Sequence, residues 1–136
     1  PILSFTTEEI FKLLFKDQKR IHLEKFPEFP GKFKNQNLSE KWNELIKIRN
    51  ICNISIEEKR ASKEIGSSLE AELEIKLDNK LLEITKDVDF SELCITSKAT
   101  TSYEETSELT VKTFKAKGSK CPVCWKISED SCVRHS

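Results

Sequence analysis

Apolar positions along this chain change their spacing twice, and each change marks an element. Ile10, Leu13 and Leu14 share one helical face, with Phe11 and Phe15 beside it. Just ahead, Thr6-Thr7-Glu8-Glu9 reads as a capping box, with Thr6 accepting from the Glu9 amide and the Glu9 carboxylate reaching back. The helical spacing stops over residues 21–37, where Pro27, Pro30 and Gly31 predict a loop. A long helix is expected from about Glu40 to Ile65, capped by Ser39 and stopped by Gly66. Trp42, Leu45, Ile46, Cys52 and Ile56 fall near its apolar face, and Lys47, Arg49, Arg60 and Lys63 decorate it.

After Gly66 the period falls to two. Leu69, Ala71, Leu73, Ile75 and Leu77 alternate with Glu70, Glu72, Glu74 and Lys76, which predicts a strand with one buried and one wet face. Asp78-Asn79 then turns the chain. Leu81–Thr85 reads as a short strand or the start of a helix, and Asp87–Glu92 as a helical turn. Leu93–Thr96 and Leu109–Phe114 read as strands flanking a polar loop over Thr100–Ser107. The fold class is therefore α+β: a helical segment over 1–66, a small antiparallel or mixed sheet subdomain over 67–117, and a cysteine-rich module over 118–136.

That last stretch carries the candidate chemistry. Cys121-Pro122-Val123-Cys124 and Cys132-Val133-Arg134-His135 are two soft-ligand pairs, each with two intervening residues. The spacing lets two thiolates of one tight turn face one ion, and a second pair completes a tetrahedron. Cys121, Cys124, Cys132 and His135 are thus expected to hold one structural zinc. A C-x-x-C step also occurs in redox dithiols, but no strand–helix context of that type precedes it here.

Composition narrows the remaining classes. Lysine plus arginine and aspartate plus glutamate number 23 each, so the net charge is zero. The charge is uneven: basic residues dominate 12–34 and 112–136, and acidic ones dominate 57–92. Basic ends suit a polyanion, although ordinary solvated faces give the same pattern. Lys25, Lys32 and Lys34 interleave with Phe26, Phe29 and Phe33. That pattern can meet nucleic acid, but anchoring of the phenylalanines to a core is the expected use. His22 has no ligand pattern around it and is expected to be structural or exposed. The Glu70–Glu74 carboxylates follow from strand alternation, with no nucleophile or histidine beside them. Three glycines leave little room for a phosphate-binding loop, and no nucleophile elbow occurs. No apolar run reaches a membrane span and no secretory leader is visible. Five cysteines without a leader point to a reducing, cytoplasmic setting, with Cys52 and Cys94 as buried free thiols. The chain starts at Pro1 and contains no methionine, as expected of a piece of a longer polypeptide.

Three patches resemble the isoleucyl-tRNA synthetases, in that family's order. Pro1-Ile2-Leu3-Ser4-Phe5-Thr6-Thr7-Glu8-Glu9-Ile10 is similar to the close of their anticodon-binding helical domain. Arg60-Ala61-Ser62-Lys63-Glu64-Ile65-Gly66-Ser67-Ser68-Leu69-Glu70-Ala71 resembles the helix-to-strand junction that follows. Lys120-Cys121-Pro122-Val123-Cys124-Trp125 resembles their C-terminal zinc module, with His135 where a fourth cysteine is usual and Val123 where arginine is frequent. The resemblance implies a monomeric parent that joins isoleucine to its tRNA with ATP. Its catalytic centre, and hence its ATP site, would lie in domains upstream of this segment. It implies that this segment recognises the anticodon stem-loop of isoleucine tRNA. Trp125 is then either a stacking platform for a base or a lid over the zinc, and Lys117, Lys120, Lys126 and Arg134 would meet phosphates. The competing class is a free-standing zinc-stabilised module that binds protein or nucleic acid without catalysis.

Overall fold

The computed structural model describes residues 3–15, 20–105, 109–132 and 135. The chain divides into two compact units, Pro1–Asn35 and Gln36–Ser136. The fold is α+β, with helices and a small mixed sheet.

The first unit contains helix α1, Ser4–Leu14, and two 3-10 turns at Ile21–Leu23 and Gly31–Phe33. The helix forms as expected, but not from the Thr6 capping box. It starts at Ser4 after Leu3, with no side-chain cap, and the Thr7 hydroxyl donates back to the Leu3 carbonyl at 2.7 Å. Glu8 is used across the unit instead. Its carboxylate accepts from the Ile21 amide at 3.1 Å and pairs with Lys12 at 3.4 Å. His22 has the structural role expected of it: Nε2 lies 3.0 Å from the Ser4 carbonyl, a donor's distance. The predicted loop is present, but its phenylalanines anchor nothing among the described residues. Phe26, Phe29 and Phe33 are 95%, 79% and 68% exposed, and Lys32 lies over the Phe33 ring.

The second unit is built on helix α2, Gln36–Ala61, which starts before Ser39 and ends short of Ile65. Its end has a physical cause that the sequence reading placed at Gly66. Lys63 takes a left-handed φ of 60°. Its amide donates to Arg60 and the Glu64 amide to Lys59, closing the last carbonyls in a Schellman arrangement. Lys59 and Ser62 both bond the Glu64 carboxylate, which holds the turn. The buried seam of α2 is Leu45, Ile48, Cys52 and Ile56. Ile48 replaces two expected members, since Trp42 and Ile46 are 46% and 47% exposed. Ile46 lies about 100° around the helix from Leu45, off the seam.

The alternating strand is β1, Ala71–Leu77, with Ala71, Leu73, Ile75 and Leu77 buried. Leu69 and Glu70 precede it in a 3-10 turn at Ser68–Glu70. β1 is the centre of a three-stranded sheet of order β2-β1-β3. β2, Lys98–Tyr103, is parallel to it and β3, Thr110–Lys115, antiparallel. A parallel pair needs a crossover, which helices α3 (Asn79–Thr85) and α4 (Phe90–Leu93) supply. Asp78 caps α3 through the Leu81 amide, and Asp89 caps α4 through the Ser91 and Glu92 amides. The expected strand at Leu93–Thr96 is absent: that stretch ends α4 and bends through Ile95 at a φ of 56°. β2 instead overlaps the stretch read as a polar loop. It is an edge strand with mostly exposed side chains, so packing imposes no apolar alternation on it. α2 closes the core from one side, with Ser55 and Thr113 hydroxyls 2.7 Å apart and Arg49 donating to the Leu93 carbonyl. Cys52 and Cys94 are free and buried, as expected. No described helix is long and apolar enough to cross a membrane.

Candidate metal centre and nucleic-acid interface

After β3 the chain folds into a small antiparallel hairpin, β4 (Ser119–Lys120) and β5 (Ile127–Ser128). Gly118 makes the entry possible. Its φ is +118°, and a β-carbon there would fall 2.0 Å from the Ser128 carbonyl oxygen. Between the strands, residues 121–126 form a tight knuckle. The Cys121 amide donates to Lys126 and the Trp125 amide to the Cys121 carbonyl. Trp125 completes the turn with a left-handed φ of 65°.

This knuckle brings together the four residues that the spacing singled out. One ligand atom from each of Cys121, Cys124, Cys132 and His135 lies within 4.8 Å of all the others. Sγ of Cys124 and Cys132 are 3.6 Å apart, and His135 Nδ1 is 3.7 Å from Cys121 Sγ and 3.5 Å from Cys132 Sγ. The His135 amide donates to the Cys132 carbonyl, which tightens the second pair. The backbone amides of Cys124 and Val123 point at the Cys121 sulfur and pull its thiol down to about 6. At Cys124 the Lys126 amide pulls the same way, but burial and the neighbouring Cys132 and Cys121 thiols outweigh it and raise the thiol. A group of this kind can hold a metal ion, and it is the one such cluster among the described residues. The Glu70–Glu74 carboxylates form none: Glu70 accepts from the Gly66 amide and Glu72 pairs with Lys98 at 2.9 Å.

Four of the other candidate residues lie in or beside the knuckle. Trp125 is 59% exposed, and the Lys120 ammonium lies 5.5 Å from its ring centroid. Lys117 is exposed just before the hairpin. Lys126 is half-buried and paired with Glu92 of α4. Arg134 lies outside the described residues. Residues 1–75 match the family described as the anticodon-binding domain of tRNA ligase. The chain belongs to that family.

Its curated relatives are similarly consistent. The chain is 63% identical over its whole length to the isoleucine–tRNA ligase of Pelagibacter ubique. It is 36% identical to that of Agrobacterium fabrum and 39% to that of Zymomonas mobilis, over 96% and 98% of the chain. The chain spans 14–15% of the length of these relatives. The resemblance to isoleucyl-tRNA synthetases read from three patches thus extends over the whole chain. The family match runs through α1 and α2 into β1, and the cysteine-rich hairpin follows beyond it. Two residues that hold the hairpin were not singled out from sequence: Ser97, whose hydroxyl bonds the Ile127 amide, and Glu92, the partner of Lys126. Neither has a local pattern to betray it, because both partners lie some thirty residues away.

Proposed function

We propose that this chain recognises the anticodon stem-loop of isoleucine tRNA, as the C-terminal part of a cytoplasmic, monomeric isoleucine–tRNA ligase. The parent would join isoleucine to that tRNA with ATP, its catalytic centre lying upstream of this segment. Residues 1–66 then close the anticodon-binding helical domain, 67–117 form a small α+β subdomain, and 118–136 are a zinc knuckle. The observation that carries the reading is the anticodon-binding family match over 1–75, within a chain similar throughout to isoleucine–tRNA ligases.

The donor set, three thiols and an imidazole, suits zinc. Zinc bonds of about 2.3 Å to sulfur and 2.0–2.1 Å to nitrogen give tetrahedral edges of roughly 3.6–3.8 Å. The closest ligand contacts, 3.5–3.7 Å, are of that size. Four protein ligands leave no open position, so the ion is structural. Its consequence is a rigid knuckle that presents Trp125. The exposure of that indole favours a stacking platform over a lid on the ion. Unstacked loop bases are read on such aromatic planes, and each stack is worth about 1–3 kcal/mol. Lys117, Lys120, Lys126 and Arg134 neutralise phosphates, with Lys126 doing so while it faces Glu92.

The test is binding of the full-length polypeptide to isoleucine tRNA and to the same tRNA with a substituted anticodon. Strong discrimination, reduced by Trp125→Ala with metal content intact, is the expected result. Equal binding to both RNAs would remove the anticodon from the reading and favour a general zinc-stabilised binding module.

A further inference from the structure

The hairpin that carries the metal ligands is short, and its position depends on what ties it to the sheet. Ser97 stands between α4 and β2 and makes three bonds there. Its amide donates to the Ala71 carbonyl at 3.1 Å, which fixes it to the start of β1. Its hydroxyl donates to the Leu69 carbonyl and accepts the Ile127 amide at 2.6 Å. A serine hydroxyl has one proton to give and lone pairs to receive, so both bonds form at once. Ile127 pairs with Lys120 across the hairpin. The same β-ribbon is therefore held to its partner strand and, through one hydroxyl, to the sheet. A second tie crosses the same seam, the Lys126–Glu92 pair. Beside these ties is a cavity of about 510 Å³, lined by Ser97, Glu92, Lys117, Cys124 and Cys132 among others. This part of the seam is open space bridged by the two polar ties.

We propose that Ser97 is a positioning residue for RNA binding: it touches no ligand but fixes the hairpin on the sheet, and so fixes where Trp125 presents its ring. This rests on the anticodon-loop reading above. The ion sets the shape of the knuckle; Ser97 sets its orientation on the body.

The experiment uses the full-length polypeptide, loaded with zinc, and measures metal per chain and affinity for isoleucine tRNA. Ser97→Ala is expected to keep one metal per chain and to weaken RNA binding about tenfold, the scale of one unsatisfied hydrogen-bonding pair. Ser97→Thr, which keeps the hydroxyl, restores it. The deciding readout is a double-mutant cycle with Trp125→Ala. If Ser97 acts through the indole, Ser97→Ala changes nothing further in the Trp125→Ala background. Independent, multiplying losses overturn the proposal, as does loss of metal in Ser97→Ala. So does full affinity in Ser97→Ala while Trp125→Ala is impaired. Indifference of the unmutated protein to the anticodon is a different failure, since it defeats the RNA reading itself. Should Ser97→Ala fail to fold, the same cycle is run with Ser97→Cys, whose thiol fills the space of the hydroxyl but is a weak hydrogen-bond partner. A loss of RNA affinity at one metal per chain that disappears with Trp125→Ala is then expected, and an undiminished affinity overturns the role of Ser97.

Discussion

The sheet body and the cysteine-rich hairpin sit side by side but differ in what can hold them together. In the body, Leu45, Ile48, Cys52, Ile56, Leu73, Ile75 and Leu77 are buried against one another across α2 and the sheet. In the hairpin the strands are two residues each, and Val123 and Trp125 face solvent. Two-stranded ribbons of this size are not stable alone in water. In the zinc reading proposed above, convergent side-chain ligands do for the hairpin what apolar burial does for the body. The lesson is that the two should fail separately, under different insults.

Removing the metal is the strongest way to separate them. Structural zinc sites carry on the order of 10 kcal/mol of binding free energy. Chelation should therefore open the hairpin and expose the Cys121 and Ile127 amides to exchange, while the Leu73 amide stays protected. Simultaneous loss of protection in both regions would merge what is here kept apart. The reverse insult is Leu73→Ala, at a fully buried position of β1. It should cost about 2–5 kcal/mol in urea unfolding, and the chains that remain folded should still hold one metal each.

A smaller effect probes the border. Asp89 caps α4, the helix that offers Glu92 to Lys126. Asp89→Ala should cost about 1 kcal/mol. Hydrogen bonding from Ser91 holds the Asp89 carboxyl below its usual range, against some desolvation. The cap's contribution is then fully present above the unfolded aspartate value of about 3.9 and is lost as pH falls through the lower folded value. Stability followed from pH 6 to 2 in Asp89→Asn and in the parent chain should converge at the acid end. The smallest change runs the other way. Lys63→Gly relieves a left-handed lysine and should stabilise the body by up to about 1 kcal/mol, seen as a higher urea midpoint. A lower midpoint would mean that the Lys63 side chain outweighs its backbone.

What could be read beforehand divides along the same border. The convergence of Cys121, Cys124, Cys132 and His135 was legible because two C-x-x-type steps constrain geometry locally, whatever the rest of the chain does. β1 was legible because one buried face imposes a period of two from Ala71 to Leu77. β2 was not, since an edge strand of Lys98, Ala99, Thr100, Thr101, Ser102 and Tyr103 has no buried face to write into the sequence; its threonines were the available hint. The end of α2 was hidden because a lysine adopts the conformation for which glycine is the usual signal, three residues before a glycine that was available for blame. Trp42 misled by its size: a large aromatic at the edge of a seam still scores as core. Ser97 was illegible in principle, since its role exists only once residues 69, 97 and 127 have met.

The Ser55–Thr113 contact has a temporal side. Its partners are separated by 58 residues, and the seam of α2 packs against a strand that is made last in the sheet. At a synthesis rate of about 5–20 residues per second, α2 waits roughly 3–12 s for β3 to emerge. During that interval Leu45, Ile48 and Ile56 have no finished sheet to cover them. A nascent chain paused between β1 and β3 is thus the form most exposed to aggregation and to chaperone capture, although its longest helix has already been made.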